Sequence, residues 1–126
     1  MNSRDKGRRG ESELAGYLRE YGYNAERMSQ YCGKTGVPDV QGLPGIHIEC
    51  KRVERLNIED AMAQSRRDAR ADEIPVVMHR RNNCKWLVTM DLEKWMELFR
   101  EYDVSQLPFT ERGEDDDDRE HINNNV

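Results

Sequence analysis

The stretch Pro38-Asp39-Val40-Gln41-Gly42-Leu43-Pro44-Gly45-Ile46-His47-Ile48-Glu49-Cys50-Lys51 decides how this chain folds. Pro44-Gly45 is a turn signal, because proline presets one turn dihedral and glycine accepts a positive φ. Residues 37–43 and 46–53 are therefore expected to be two strands of a hairpin. The second strand alternates, with Ile46 and Ile48 on one face and His47, Glu49 and Lys51 on the other, which leaves Glu49 and Lys51 roughly 7 Å apart on a shared side. Whether Asp39 joins them depends on the turn. A three-residue loop at 43–45 sets Asp39 opposite Glu49, with Cβ atoms about 5 Å apart. A two-residue turn sends Asp39 to the other face. Leu43 precedes Pro44 and resists the αR conformation with which the longer loop starts, so a β-bulge is the other route to the same juxtaposition.

Two directly opposed carboxylates repel, and they are stable together when a divalent cation lies between them; Mg²⁺ accepts carboxylate oxygens and retains waters for chemistry. An E-x-K triplet on its own reads equally as a solvated ion pair. Glu11 adds a third acid, in line with Leu14 and Leu18 on the apolar stripe of the first helix. An ionised group there costs on the order of several kcal/mol unless something compensates it. Its place in the first turns also suits the positive helix end, so both readings of Glu11 stand. A carboxylate pair, a lysine and a third acid suit metal-assisted hydrolysis of a phosphodiester. Lys51 would orient the attacking water or stabilise developing charge.

Working outward, the Leu14, Ala15 and Leu18 spacing predicts a helix over residues 6–21, ended by Gly22. Residues 24–28 are expected as a short strand and 29–36 as a loop containing Gly33 and Gly36. Asn57 is placed to cap a helix whose stripe is Ile58, Ala61, Met62, Ser65 and Ala69. Strands at 74–80 and 85–89 follow, joined by a turn at Asn82-Asn83. Asp91 then caps a last amphipathic helix through Leu92, Trp95, Met96, Phe99 and Tyr102. Its aromatic residues read as core or as a dimer interface more readily than as a base-stacking platform. The order is helix, three strands, helix, two strands, helix. This predicts an α/β fold, a mixed β-sheet flanked by helices, in which the crossover helix lets two strands run parallel.

The 126 residues suit one core, with a nuclease-like domain at 1–105 and an acidic tail at 106–126. The net charge of −5 argues against a polyanionic partner only until it is located. Residues 111–126 hold seven acids against Arg112 and Arg119, which accounts for all of it and leaves a neutral body. The tail is too poor in apolar residues to order itself and reads as solvated and disordered, with DNA mimicry as the sharper alternative. Three widely spaced cysteines and no apolar leader predict a reducing, cytoplasmic location, and no apolar run is long enough for a membrane span. Cys32, Cys50, Cys84, His47 and His79 lack zinc-ligand spacing and read as structural or incidental.

Pro38-Asp39 followed by Glu49-Cys50-Lys51 resembles the PD-(D/E)XK nuclease superfamily, and Lys6-Gly7-Arg8-Arg9-Gly10-Glu11 looks like the basic entry and helix glutamate of archaeal and phage Holliday junction resolvases. Gln64, on the helix after the E-x-K strand, is similar to a glutamine near the active site in several such families. The resemblance spans most of residues 6–89. It implies a restriction-endonuclease-like α-β-β-β-α-β core, Mg²⁺ or Mn²⁺ dependence, and a homodimer acting on branched DNA in a bacterial or phage-infected cell. By carry-over Asp39 and Glu49 bind metal, Glu11 assists the metal or its water, and Lys51 and Gln64 serve catalysis. Arg8, Arg9, Arg27, Lys34, Arg52, Arg66 and Arg67 are expected to track phosphates. Two alternatives remain: a nuclease of the superfamily for flaps, nicks or forks, and a non-catalytic DNA-binding protein of this fold.

Overall fold

The computed structural model describes residues 3–28 and 36–108. Lys34, Cys32, most of the 29–36 loop and the tail beyond residue 108 lie outside the described residues. The chain divides into two compact units, Met1–Met90 and Asp91–Val126.

In the first unit the order is α1 (Ser3–Glu20), β1 (Glu26–Arg27), β2 (Val40–Gln41), β3 (Ile46–Arg52), α2 (Ile58–Asp68), β4 (Ile74–Arg80) and β5 (Leu87–Met90). The strands form one sheet in the order β1-β2-β3-β4-β5. Only β3 and β4 pair in parallel; the other neighbours are antiparallel. This is the expected mixed sheet, and its cause is the crossover through α2. Asn57 starts that helix by accepting the Asp60 N–H at 3.1 Å, which satisfies one of the free donors of the first turn.

The alternation of β3 distributes the core between two layers. Ile48 and Cys50 pack with Leu14, Ala15, Ala25, Val40 and Val76 beneath α1. Val77, on the opposite face, packs with Ala61 and Met62 of α2. Ser65 belongs to that second face, and its buried hydroxyl donates to the Val76 carbonyl at 2.9 Å, so the helix is tied to β4 by a directional bond as well as by packing.

Three predicted strands are shorter than their sequence suggests. Residues 37–43 yield only Val40–Gln41, because Asp39 bends the chain and Gly42 adopts a φ of 131°. A Cβ on Gly42 would stand 2.6 Å from the Ala25 Cα, so only glycine permits this approach. Residues 24–28 yield only Glu26–Arg27. β5 starts at Leu87 instead of Lys85, because the turn that holds Asn83 at φ 60° extends to Cys84, whose N–H donates to the Arg81 carbonyl at 3.2 Å.

The second unit is built on α3 (Leu92–Ser105), with Asp91 in the extended cap position. Trp95 stacks on Phe99 at 5.3 Å between ring centres, and Phe99 meets Tyr102 at 6.0 Å. The three rings retain 47, 38 and 59 % of their surface, so they are not core; they cover one another along an exposed stripe. Among the described residues no helix is long and apolar enough to cross a membrane.

α1 approaches the sheet at Gly10, where an added Cβ would stand 2.5 Å from the Arg52 Cβ. Alanine favours a helix interior over glycine by about 1 kcal/mol. Gly10→Ala is nevertheless expected to lose about 1–3 kcal/mol of stability, because the new methyl must push α1 off β3. Urea unfolding measures it; unchanged or raised stability would show that the contact is looser than described.

Candidate active site

Asp39 lies where three strands meet. Its N–H donates to the Ile48 carbonyl and its own carbonyl accepts from Met28 N–H, both at 2.9 Å. The first of these bonds is one residue out of step with the Val40–Ile48 pairing, an irregularity of the bulge type. The Asp39 carboxylate fills the resulting gap in the ladder: Oδ2 accepts the Cys50 N–H at 2.9 Å in a buried bond. The side chain is thereby held against the strand that carries Glu49.

Glu49 and Lys51 follow from the pleat of β3, and Glu11 comes from the inner side of α1. Three acids are almost fully buried here, with Glu11 and Asp39 at 7 % and Glu49 at 2 % exposure. Burial pushes the Glu49 carboxyl up to about 8, and the Asp39 charge adds to the shift while Lys51 opposes it; Asp68 and Glu11 also raise it. Burial likewise pushes Glu11 up to about 7, reinforced by Asp39 and countered by Arg27, Arg8 and Lys51. The four groups of the predicted site therefore share one electrostatic neighbourhood, with Arg8 and Arg27 at its border.

Among the described residues no three His, Cys, Asp or Glu side chains are drawn together tightly enough to hold a metal ion as they stand. The donor set nonetheless suits a hard divalent cation. It consists of carboxylate oxygens, one of which, Glu11 Oε2, is buried without a hydrogen-bond partner. Asp39, Glu49 and Glu11 are the residues that could hold such an ion.

The other expected residues are more dispersed. Arg8, Arg9, Arg27 and Arg67 are exposed, and Gln64 is half-buried on α2. Arg66 is exposed on the same helix. Arg52 is engaged in the structure, pairing with Glu13 at 3.2 Å and donating to Asn82 Oδ1 at 3.0 Å. Arg80 pairs with the same Glu13. This bridge between α1 and the ends of β3 and β4 has no periodic signal in the sequence. Asp68 was also missed, although its spacing from Gln64 places it one turn further along α2. Cys50 is no nucleophile: burial pushes its thiol up, and it faces α1, away from His79, whose neighbour across the parallel pair is Lys51.

A mixed sheet between helices, with one acid just before β2, a second on the neighbouring β3 and a lysine two residues beyond it, defines a nuclease of restriction-endonuclease-like fold. The chain matches, over residues 2–124, the family described as "Phage putative PDDEXK endonuclease". It belongs to that family and is accordingly an endodeoxyribonuclease, a phosphodiester hydrolase. Among solved structures it is similar to Hjc of Archaeoglobus fulgidus, a Holliday junction resolvase, with a TM-score of 0.52 and 23 % identity over 68 % of this chain and 72 % of that one. A search of curated proteins finds no match.

The raised carboxyls carry a stability consequence. Glu11 and Glu49 hold protons more tightly folded than unfolded, so in this range the native state binds more protons and stability falls as pH rises. In metal-free buffer the thermal midpoint is expected to drop from about pH 5 to about pH 8, and Glu49→Gln should flatten the slope. A midpoint that climbs over this interval would contradict the burial of these acids.

Proposed function

We propose that the protein is a structure-selective nuclease that resolves four-way DNA junctions, using Mg²⁺ or Mn²⁺ held by Asp39 and Glu49 with Glu11 assisting. The observation that carries this reading is the burial of three mutually repelling acids beside Lys51. Such a set costs stability unless its task is to bind a cation. When bound, a divalent cation neutralises phosphate charge and lowers the pKa of water for attack on phosphorus.

The chain's own residues supply the rest. Asp39 is fixed by the Cys50 N–H, which sets the direction of its carboxylate. Glu49 holds its proton near neutral pH and releases it as it becomes a ligand, so binding favours higher pH. Lys51 keeps a cation beside the scissile phosphate, orienting water or offsetting the charge that grows there. To Gln64, half-buried on α2, we assign the part of a neutral hydrogen-bonding group. Arg8 and Arg27, which already act on Glu11, continue the positive potential along the bound backbone, with Arg9, Lys34, Arg52, Arg66 and Arg67 as further phosphate contacts.

The likeness in fold to a resolvase supports the junction as target. A four-way junction has two equivalent strands to cut, so a homodimer with paired sites fits it. We place the enzyme in the cytoplasm of a bacterial or phage-infected cell, with residues 1–105 as the nuclease domain and 106–126 as an acidic extension.

A synthetic four-way junction incubated with Mg²⁺ tests the proposal. The parent should cut it, and Glu49→Gln and Lys51→Ala should each slow cleavage by roughly 10²-fold or more. Equal cutting by Glu49→Gln would remove the site assignment. Faster cutting of a flap, nick or fork would reassign the substrate, and an inert parent would favour a DNA-binding role.

A further inference from the structure

The face of β3 that carries Lys51 continues onto β4. In the parallel pair Glu49 stands beside Val77 and Lys51 beside His79. Paired residues of neighbouring strands project from the same face, with the strands about 4.8 Å apart, so His79 and Lys51 emerge side by side on that face. On β5, Thr89 stands opposite Val77 and Leu87 opposite His79. Nε2 of His79 lies 2.8 Å from Thr89 Oγ1, which fixes the ring at one nitrogen. Nδ1 has no partner among the described residues.

His79 is only half-buried, so its polar atoms need no internal compensation. Burial lowers its pKa and favours the uncharged ring. A neutral imidazole has one N–H; in the tautomer whose Nε2 accepts from the Thr89 hydroxyl, that hydrogen resides on Nδ1. In that tautomer His79 is an uncharged donor, its ring held by a neighbouring hydroxyl, one strand away from Lys51.

We propose that His79 is a substrate-contacting residue, donating from Nδ1 to a backbone phosphate oxygen of the DNA strand bound along β3 and β4, while Thr89 holds Nε2. The proposal rests on the Lys51 face being the DNA face. A neutral donor adds affinity without releasing a counterion, so its loss weakens binding while the salt slope is preserved; loss of a lysine or arginine contact lowers that slope by about one.

The test is fluorescence anisotropy of a labelled four-way junction and a labelled linear duplex over a salt series, with the full chain carrying Lys51→Ala so that cleavage does not interfere. Adding His79→Ala should weaken binding to both DNAs by about tenfold with an unchanged salt slope. His79→Gln, whose amide still donates, should recover most of the loss, and Thr89→Val should give a partial loss. The thermal midpoints should match the parent's. Binding equal to the parent's, a lowered slope, failure of glutamine to rescue, or a loss that tracks a fall in midpoint would overturn the contact. An otherwise active protein that cuts no branched DNA refutes the junction reading instead, and the duplex arm still decides His79.

Discussion

The hydrogen bond from the Cys50 N–H to Asp39 Oδ2 is the constraint on which the arrangement depends. A backbone donor in a sheet ordinarily goes to the neighbouring strand's carbonyl, and a buried one left unmade costs on the order of 1–3 kcal/mol. Here a carboxylate takes it. Asp39 is thereby recruited into the sheet's own bonding, and its charge is held over the strand that carries Glu49. The same substitution explains why β2 is so short: a strand whose side chain has replaced its backbone in the ladder cannot continue pairing at that point.

Placing a third carboxylate nearby then makes the centre unfavourable on its own terms. Glu11 and Glu49 respond by retaining protons, while Lys51, Arg8 and Arg27 pull in the other direction. The scaffold resists collapse of this charge cluster through contacts that are themselves ordinary. Gly10 lets α1 lie against β3, and Glu13 draws together Arg52 and Arg80 at the ends of two parallel strands. Local destabilisation at a site, offset by packing elsewhere, is the pattern expected where function and folding compete.

Much of this was legible in the sequence, for identifiable reasons. The pleat of residues 46–52 separated Ile48 and Cys50 from Glu49 and Lys51, because period-two alternation follows from strand geometry alone. Asn57 and the stripe of Ile58, Ala61 and Met62 located α2, since a cap and a 3.6-residue period act locally. The strand at Ile74–Arg80 was likewise marked by its own β-branched residues. What could not be read were properties of pairing. Nothing in the sequence sets Lys51 beside His79, because a parallel register is fixed by how α2 packs on the sheet, not by a turn. The bulge at Asp39 was foreseen only as one of two routes, and the choice depended on where a side chain would find a donor. Of the two readings of the α3 aromatic stripe, core or dimer interface, the exposure of its rings removes the first: periodicity marks an apolar face without saying what, if anything, lies against it.

The charge distribution resolves the remaining difficulty, that an acidic chain should act on DNA. The excess of acid lies at 111–126, and the body is neutral on balance, so association depends on where its charges are placed. Around the site the placement is asymmetric. The acids Glu11, Asp39 and Glu49 are buried, where two of them tend toward the neutral form, whereas Arg8, Arg9, Arg27 and Arg67 are exposed. On the proposed reading, a phosphate backbone approaching this face would meet Arg8 and Arg27 first and the acids at depth. Protonation of the acids reduces repulsion of the incoming strand, and a bound cation would do so further. Net charge is thus a poor guide for an enzyme of this kind, because the excess of acid lies at 111–126 while burial suppresses the charge of Glu11 and Glu49 in the body.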